Sequence, residues 1–402
     1  MHCIQNITDS LLWLGGSDRR ISLFEGAHPT PRGMAYNSYL LLDEKTALID
    51  TVDRAVAGQF FENLEAALNG RALDYLVVQH MEPDHSATLG CLLAKHPEAQ
   101  VICTAKAVPM MRQFGHDVSD ARVRTVKEGD TLSLGAHTLR FLMAPMVHWP
   151  EVMVTYEEAD RTLFSADAFG LFGALDGGIF ADEADFDGFW LDEARRYYTN
   201  IVGKYGPSVQ TLLKKAAALE IARICPLHGF IWRKDLDKIV SKYDLWSRYA
   251  PEERGVLVAY ASVYGNTANA AEAVANRLRA KGVRCEARDV SVTDDSELVA
   301  AAFRWSHWLL AAPTYNAGVF VAMENALRDV AAHGLQGRSV ALIQNGSWAP
   351  ASANQMKEML SGLKNMTFLE PVLTVRGALA PAQAEEVDAF AQAIADSVEA
   401  AQ

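Results

Sequence analysis

The sequence predicts an α/β protein in two units. Three observations lead there: short apolar runs alternating with amphipathic stretches, a charged, proline-containing break at Ala250-Pro251-Glu252-Glu253-Arg254, and polar residues gathered just past the apolar runs. At 402 residues the chain exceeds the roughly 100 to 200 usual for one domain, so residues 1–250 and 254–402 are expected to fold as separate domains. Half of the residues are hydrophobic, enough for a substantial core. No apolar run reaches the roughly 18 residues that span a bilayer, and Met1-His2-Cys3-Ile4-Gln5-Asn6 lacks the pattern of a signal peptide. A cytoplasmic protein with no membrane partner is expected, and a net charge of −13 argues against nonspecific nucleic-acid binding. Cys3, Cys91, Cys103, Cys225 and Cys285 form no C-x-x-C pair, which fits a reducing compartment and excludes a cysteine-ligated metal module.

Residues 37–42 and 46–50 read as strands about a turn at Asp43-Glu44-Lys45, and residues 58–68 as a helix with Phe60, Leu64 and Leu68 on one face. The apolar run 73–78 then reads as a buried strand. It ends on Gln79-His80-Met81-Glu82-Pro83-Asp84-His85-Ser86, where His80, Glu82, Asp84 and His85 are four potential metal ligands within six positions. The alternative is a polar surface turn, which seldom follows a fully apolar strand. Two imidazoles and two carboxylates at the end of a buried strand are costly to desolvate unless a cation sits among them. Strands at 101–103 and 139–142, with residues 108–114 between them, lead on to Pro145-Met146-Val147-His148-Trp149-Pro150. Asp167 follows the run 162–164, and His228 follows the run 221–225. A lone His at a strand end is ordinarily structural. Here the placement recurs four times, in a fold class whose functional groups gather at the carboxyl ends of strands.

These residues resemble the metallo-β-lactamase superfamily over about residues 30 to 250, with its H-x-H-x-D-H signature followed by a His, an Asp and a final His. The resemblance implies an αββα sandwich. One position departs from the signature, because Glu82 stands where the zinc hydrolases carry their second His. Four imidazoles and three carboxylates make a shell rich in hard oxygen donors, which suits iron, and two ferrous ions nearly balance the three carboxylates. The resemblance also implies a grouping: one iron on His80, Glu82 and His148, the other on Asp84, His85 and His228, with Asp167 between. His28 reads as part of a surface loop, or of one that lies over the pocket. Residues 169–180 could form a lid, and Tyr197 or Tyr198 could send a hydroxyl inward, though helix packing would explain both features.

Beyond a helix at 234–249, a strand at 255–260 runs into Ser262-Val263-Tyr264-Gly265-Asn266-Thr267 and a helix at 268–281. Hydroxyls and backbone N–H groups at a helix N-terminus suit a phosphate, with Gly265 permitting close approach; a plain N-cap is the alternative. Two more strands, 308–312 and 340–343, run into Pro313-Thr314-Tyr315-Asn316-Ala317-Gly318 and into Asn345-Gly346-Ser347-Trp348. Three such loops suit a flat ring with a phosphate tail. This half resembles flavodoxin over about residues 254 to 400, which implies a doubly wound parallel sheet and bound FMN. Tyr264 and Asn266 depart from the usual flavodoxin loop. Tyr315 and Trp348 are either neighbours of the flavin ring or core aromatics. No G-x-G-x-x-G follows the first strand, so NAD is not expected.

The two halves in this order resemble the flavodiiron proteins across nearly the whole chain. That resemblance implies reduction of O2 to water or NO to N2O at a non-haem diiron centre, with FMN delivering the electrons; O2 reduction is placed first here and NO reduction second. It also implies a head-to-tail homodimer or dimer of dimers. No cysteine knuckles for a rubredoxin follow a final helix at 382–401, so an external donor is expected, either a rubredoxin-like protein or a reduced diffusible cofactor. A zinc hydrolase with an accessory flavodoxin-like domain is the alternative, opposed by Glu82 and by a flavin that hydrolysis does not need. A pure electron carrier is opposed by the complete ligand set.

Overall fold

The protein is described by a computed structural model over residues 2–401. The chain divides into two compact units, one running up to Tyr198 and including Pro207–Asp244, the other made of Thr199–Gly206 and the chain from Leu245 onward.

Two sheets make the first unit. The seven-stranded sheet follows chain order through β1 (Gln5–Asn6), β2 (Leu11–Trp13), β3 (Tyr39–Leu42), β4 (Thr46–Ile49), β5 (Tyr75–Val78), β6 (Gln100–Thr104) and β7 (Val123–Val126). Its first four strands pair antiparallel, whereas helical crossovers such as Ala57–Leu68 and Ala107–Gln113 make β4 to β7 parallel. The five-stranded sheet is β8 (Thr131–Ser133), β9 (Thr138–Met143), β10 (Met153–Glu157), β11 (Thr162–Phe164) and β12 (Arg223–Cys225). Only its last pair, β11 and β12, is parallel, so both strands end at the same edge.

The first two strands and β10 escape the sequence pattern for physical reasons. β1 and β2 are two and three residues long, too short to alternate, and β10 is buried at every position. His28 does not lie in an open loop. His28–Pro29 pairs antiparallel with Leu23–Phe24, a hairpin of two-residue strands that hydropathy cannot reveal.

In the second unit, β13 (Glu253–Tyr260), β14 (Cys285–Asp289), β15 (Trp305–Tyr315), β16 (Ser339–Asn345) and β17 (Thr367–Phe368) stand side by side in the order β14-β13-β15-β16-β17. All are parallel, and β18 (Leu373–Val375) continues beside β16. This is the doubly wound order of flavodoxin-like sheets. Helices Asn266–Ala280 and Ala384–Ala400 cover one face, packing Ala270, Val274, Leu278, Phe390 and Ile394 on Val258, Leu309, Ala341 and Ile343. Two boundaries differ from the sequence reading. The break after residue 250 is shorter, because Glu253 already pairs with Trp305 in the sheet and its carboxylate takes ion pairs from Arg284 and Arg304. β15 runs through Pro313, which sits near the carboxyl end of its strand, where a missing N–H is tolerated.

Candidate metal centre and cofactor pocket

The first site forms where both sheets of the first unit end. β5 delivers the stretch from His80 to His85, the turn between β9 and β10 carries His148, and the residues after β11 and β12 carry Asp167 and His228. Asp50 sets the entry: Oδ1 accepts the Gln79 N–H at 2.8 Å and Oδ2 accepts the Gln79 amide at 3.0 Å. Pro83 then opens a single helical turn, Pro83–Ser86, which places Asp84 and His85 on neighbouring positions. The turn is tied down by the Thr51 hydroxyl, which donates to the His85 carbonyl at 2.6 Å, and by the Ser86 hydroxyl, which donates to the Met81 carbonyl at 2.9 Å. The Asn37 amide donates to the carbonyls of Pro226 and Gly229, both at 2.9 Å, and so holds the His228 loop against the first sheet.

The structure brings all seven residues together in two groups. Ligand atoms of His80, Glu82, His148 and Asp167 lie within 4.8 Å of one another, and so do those of Asp84, His85 and His228. Asp167 reaches both groups, with Oδ2 3.2 Å from His80 Nε2 and 3.1 Å from His148 Nε2, while Oδ1 is 3.1 Å from His85 Nε2 and 3.7 Å from His228 Nε2. None of the seven is more than 8% exposed.

Electrostatics are strained accordingly. Burial opposes the charge on Asp167, yet the neighbouring imidazoles of His85 and His80 hold it well below the carboxylate range. Burial pushes Asp84 up to about 8. His148 rises to about 9 because Asp167 and Glu82 outweigh burial, and His80 is likewise held well above its usual range, against burial, chiefly by Asp167. Both oxygens of Asp84, both of Asp167 and both ring nitrogens of His85 are buried without a hydrogen bond, although several lie close to one another. Donor atoms that converge without hydrogen-bond geometry are arranged for ligation, so the set fits two cations.

The surroundings include residues the sequence did not single out. Phe24 from the hairpin and Tyr36 stand edge-on to His228, with centroids 5.5 and 5.6 Å away. The His28 Nε2 lies 3.6 Å from a Glu25 oxygen, and the His28 ring lies against Phe172, 6.0 Å between centroids. Of the two tyrosines, Tyr197 faces the site, its ring 5.5 Å from that of His228 and its buried hydroxyl without a partner; Tyr198 packs on Tyr243 instead. Burial, then the charge of Asp167, raise the Tyr197 phenol well above its usual range and keep it protonated. Gly170 is required by space: a Cβ there would meet the Asp167 carbonyl and the Tyr197 ring at 3.1 Å and His228 at 3.3 Å. Phe24 and Tyr36 carry no mark in the sequence, because they sit in strands of two and three residues, too short to show periodicity.

In the second unit, the three expected loops line one cavity of about 510 Å³. Ser262, Val263, Tyr264, Asn266 and Thr267 form one wall, Pro313 to Ala317 a second, and Asn345 to Trp348 a third. Gly265 and Gly318 do not line it, and Ala349, Ala351 and Gly377, which were not expected, do. Gly265 is needed for its φ of +87° at the helix cap rather than for close approach, since an added Cβ there would meet nothing. The Ser262 hydroxyl is buried without a partner beside the first turn of helix Asn266–Ala280, an arrangement that fits a phosphate. Some polar groups are already committed: Thr314 Oγ1 accepts the Ala351 N–H, and the Asn345 amide bridges Thr267 and Gly377. Neither Tyr315 nor Trp348 is a core aromatic. They are 48% and 89% exposed at the rim, where a flat ring would cover them.

A family model described as ODP family beta lactamase matches residues 34–229, and one described as flavodoxin matches residues 258–397. The chain is 32% identical over 375 residues to the nitric oxide reductase of Moorella thermoacetica, covering 92% of each. It is 30% identical to the anaerobic nitric oxide reductase flavorubredoxin of Vibrio vulnificus, over 89% of this chain and 72% of that one. Among solved structures, it matches the flavodiiron protein from Giardia intestinalis with a TM-score of 0.91 at 26% identity, over 98% and 96% of the two chains. The chain belongs to the flavodiiron proteins. The rubredoxin oxygen:oxidoreductase of Desulfovibrio gigas also superposes on this flavodiiron chain, with a TM-score of 0.92 and 27% identity over 99% of both. As a flavodiiron protein it is an oxidoreductase, with an FMN-binding flavodoxin domain and a diiron centre as its cofactors, and the hydrolase alternative falls. Among the described residues no helix is long and apolar enough to cross a membrane.

Proposed function

We propose that this flavodiiron protein reduces dioxygen to water and, as a second activity, nitric oxide to nitrous oxide. The observation that carries the reading is the pair of buried donor groups joined by Asp167. His80, Glu82 and His148 would hold one iron, Asp84, His85 and His228 the other, with Asp167 spanning both. Two ferrous ions and FMN together supply the four electrons that O2 needs, and two NO need two. The chain's own residues do the rest. Phe24, Phe172 and Tyr197 exclude water from the His228 side, and the protonated Tyr197 hydroxyl, free of any competing partner, is placed to donate a proton or hydrogen bond to a bound gas. Ser262, Asn266 and Thr267 would take the FMN phosphate, with Tyr315 and Trp348 beside the ring.

The same reading divides the chain at residues 1–250 and 254–402 and supplies electrons from an external donor, a rubredoxin-like protein or a reduced diffusible cofactor. It also places the work in a head-to-tail homodimer, so turnover per chain falls as the dimer is diluted; full turnover by a monomer in sedimentation-matched assays would refute that part. The decisive experiment is metal and flavin analysis of protein purified without oxygen, followed by stopped-flow oxidation of the reduced form with each gas. Two irons and one FMN per chain with fast oxidation are expected. Zinc, with no oxidation by either gas, would overturn the proposal.

A further inference from the structure

Three of the cluster's imidazoles differ in what stands behind them. His228 Nδ1 donates to the Ala35 backbone carbonyl at 2.8 Å, and His85 Nδ1 has no hydrogen-bond partner. His80 Nδ1 lies 2.8 Å from Glu151 Oε1, and neither side chain has any exposed surface. The same Oε1 accepts the Met81 N–H at 2.9 Å. A backbone N–H can only donate, so Oε1 is an acceptor, and any carboxylic proton would have to sit on Oε2, which is buried and has no partner. Hence His80 Nδ1 carries the proton and Nε2 is left as the ligand atom, aimed at Glu82 and Asp167, each 3.2 Å away. The backbone of Glu151 is itself fixed, because the Thr104 hydroxyl donates to its carbonyl at 2.9 Å.

We infer that Glu151 is a positioning residue for the diiron centre: it sets the tautomer and direction of His80 and makes the iron on His80, Glu82 and His148 the more strongly donated of the two. Among the described residues it is the one carboxylate bonded behind a histidine of the cluster. A carboxylate behind an imidazole raises its basicity as a ligand, whereas a carbonyl, as behind His228, does so less. Two irons held here would therefore be inequivalent, the one held by His80 being the more easily oxidised. The inference rests on the ligand assignment proposed above.

The test compares wild type with Glu151→Ala and Glu151→Gln, all purified without oxygen, by iron content against graded chelators and by the EPR-monitored redox titration of the centre. Wild type is expected to hold two irons. Glu151→Ala should bind one of them about 10- to 100-fold more weakly and retain the other. Glu151→Gln, whose amide oxygen can accept both N–H groups, should keep two irons while its first oxidation moves to higher potential with an altered mixed-valent spectrum, a change that mere packing would not produce. If Glu151→Ala fails to fold, judged by the melting of the metal-free protein, the potential of Glu151→Gln decides alone. Two irons in wild type with wild-type potentials and spectra in Glu151→Gln would overturn the inference and leave the ligand assignment standing. A wild type that takes up no iron would overturn both.

Discussion

In the metal centre seven ionisable side chains, none more than 8% exposed, are packed within a few ångströms of one another, whereas among the described residues no acid, histidine, lysine or arginine lines the flavin pocket. The first site is held rigid from outside: Asp50, Thr51, Ser86, Asn37 and Glu151 spend their hydrogen bonds on the backbone or the ligands. The second leaves Tyr264 91% and Trp348 89% exposed and presents only a few free polar groups. The difference teaches how each cofactor is to be kept. A small cation is gripped by charge in a preformed, low-dielectric shell, and a large flat cofactor by apolar area and a phosphate cradle, with much of that area uncovered until it binds.

The largest effect should come from removing the residue that joins the two donor groups. Asp167→Ala leaves four imidazoles facing only two carboxylates, and gas reduction should fall by more than about a hundredfold, beyond what changes behind a ligand cost. FMN content should stay near one per chain, because the pocket shares no residue with the cluster. Parallel iron and flavin assays check this; flavin loss alongside iron would show that the two sites are not independent.

Acid–base behaviour should separate the sites next. Burial holds Asp84 at about 8, and Asp167 and Glu82 hold His148 at about 9 against burial. Both lie above their unfolded values, so between about pH 6.5 and 9 the folded metal-free protein binds more protons than the unfolded chain. Stability from these groups is present at the low end of that window and is lost as pH rises through it. His228, lowered by burial, acts only below its ordinary value and does not oppose the trend in this window. The metal-free protein should lose on the order of 5 kcal/mol from pH 6.5 to 9, read as a melting temperature several degrees lower. Iron, which keeps its ligands deprotonated, should flatten the slope. Equal slopes with and without iron would break the contrast between the sites, as would FMN affinity that followed the same curve.

How legible each region was depends on how local its signal is. The central parallel strands could be read because β5, β13 and β16 contain continuous apolar runs with helices between them, and the seven donors because each follows such a run; β7, β14 and β17 could not, being largely uncovered or only two residues long. The three cofactor loops were legible for the same reason. The hairpin carrying Phe24 and His28, and the tie from Glu151 to His80 across 71 positions, were not, because two-residue strands carry no periodicity and a single acidic residue carries no sign of its distant partner. Whether Tyr315 and Trp348 were core or rim also required the fold, since an aromatic after a strand suits both environments.

Those two aromatics frame the smallest expected effect, and the one that tests the apolar half of the comparison. If the flavin is held by area rather than charge, Trp348→Ala should weaken FMN binding about tenfold, or about 1.4 kcal/mol, by removing one stacking face. Trp348→Phe should recover most of it. Iron content and the pH slope of the metal-free protein should not move in either variant, because Trp348 lies in the flavin cavity wall and is none of the seven donors. Fluorescence titration of the flavin-free protein reads the affinity. Unchanged binding in Trp348→Ala would mean that the phosphate cradle at Ser262 and the helix N-terminus carries the affinity alone. The flavin pocket would then also grip its cofactor mainly by charge, and the contrast would be one of exposure only.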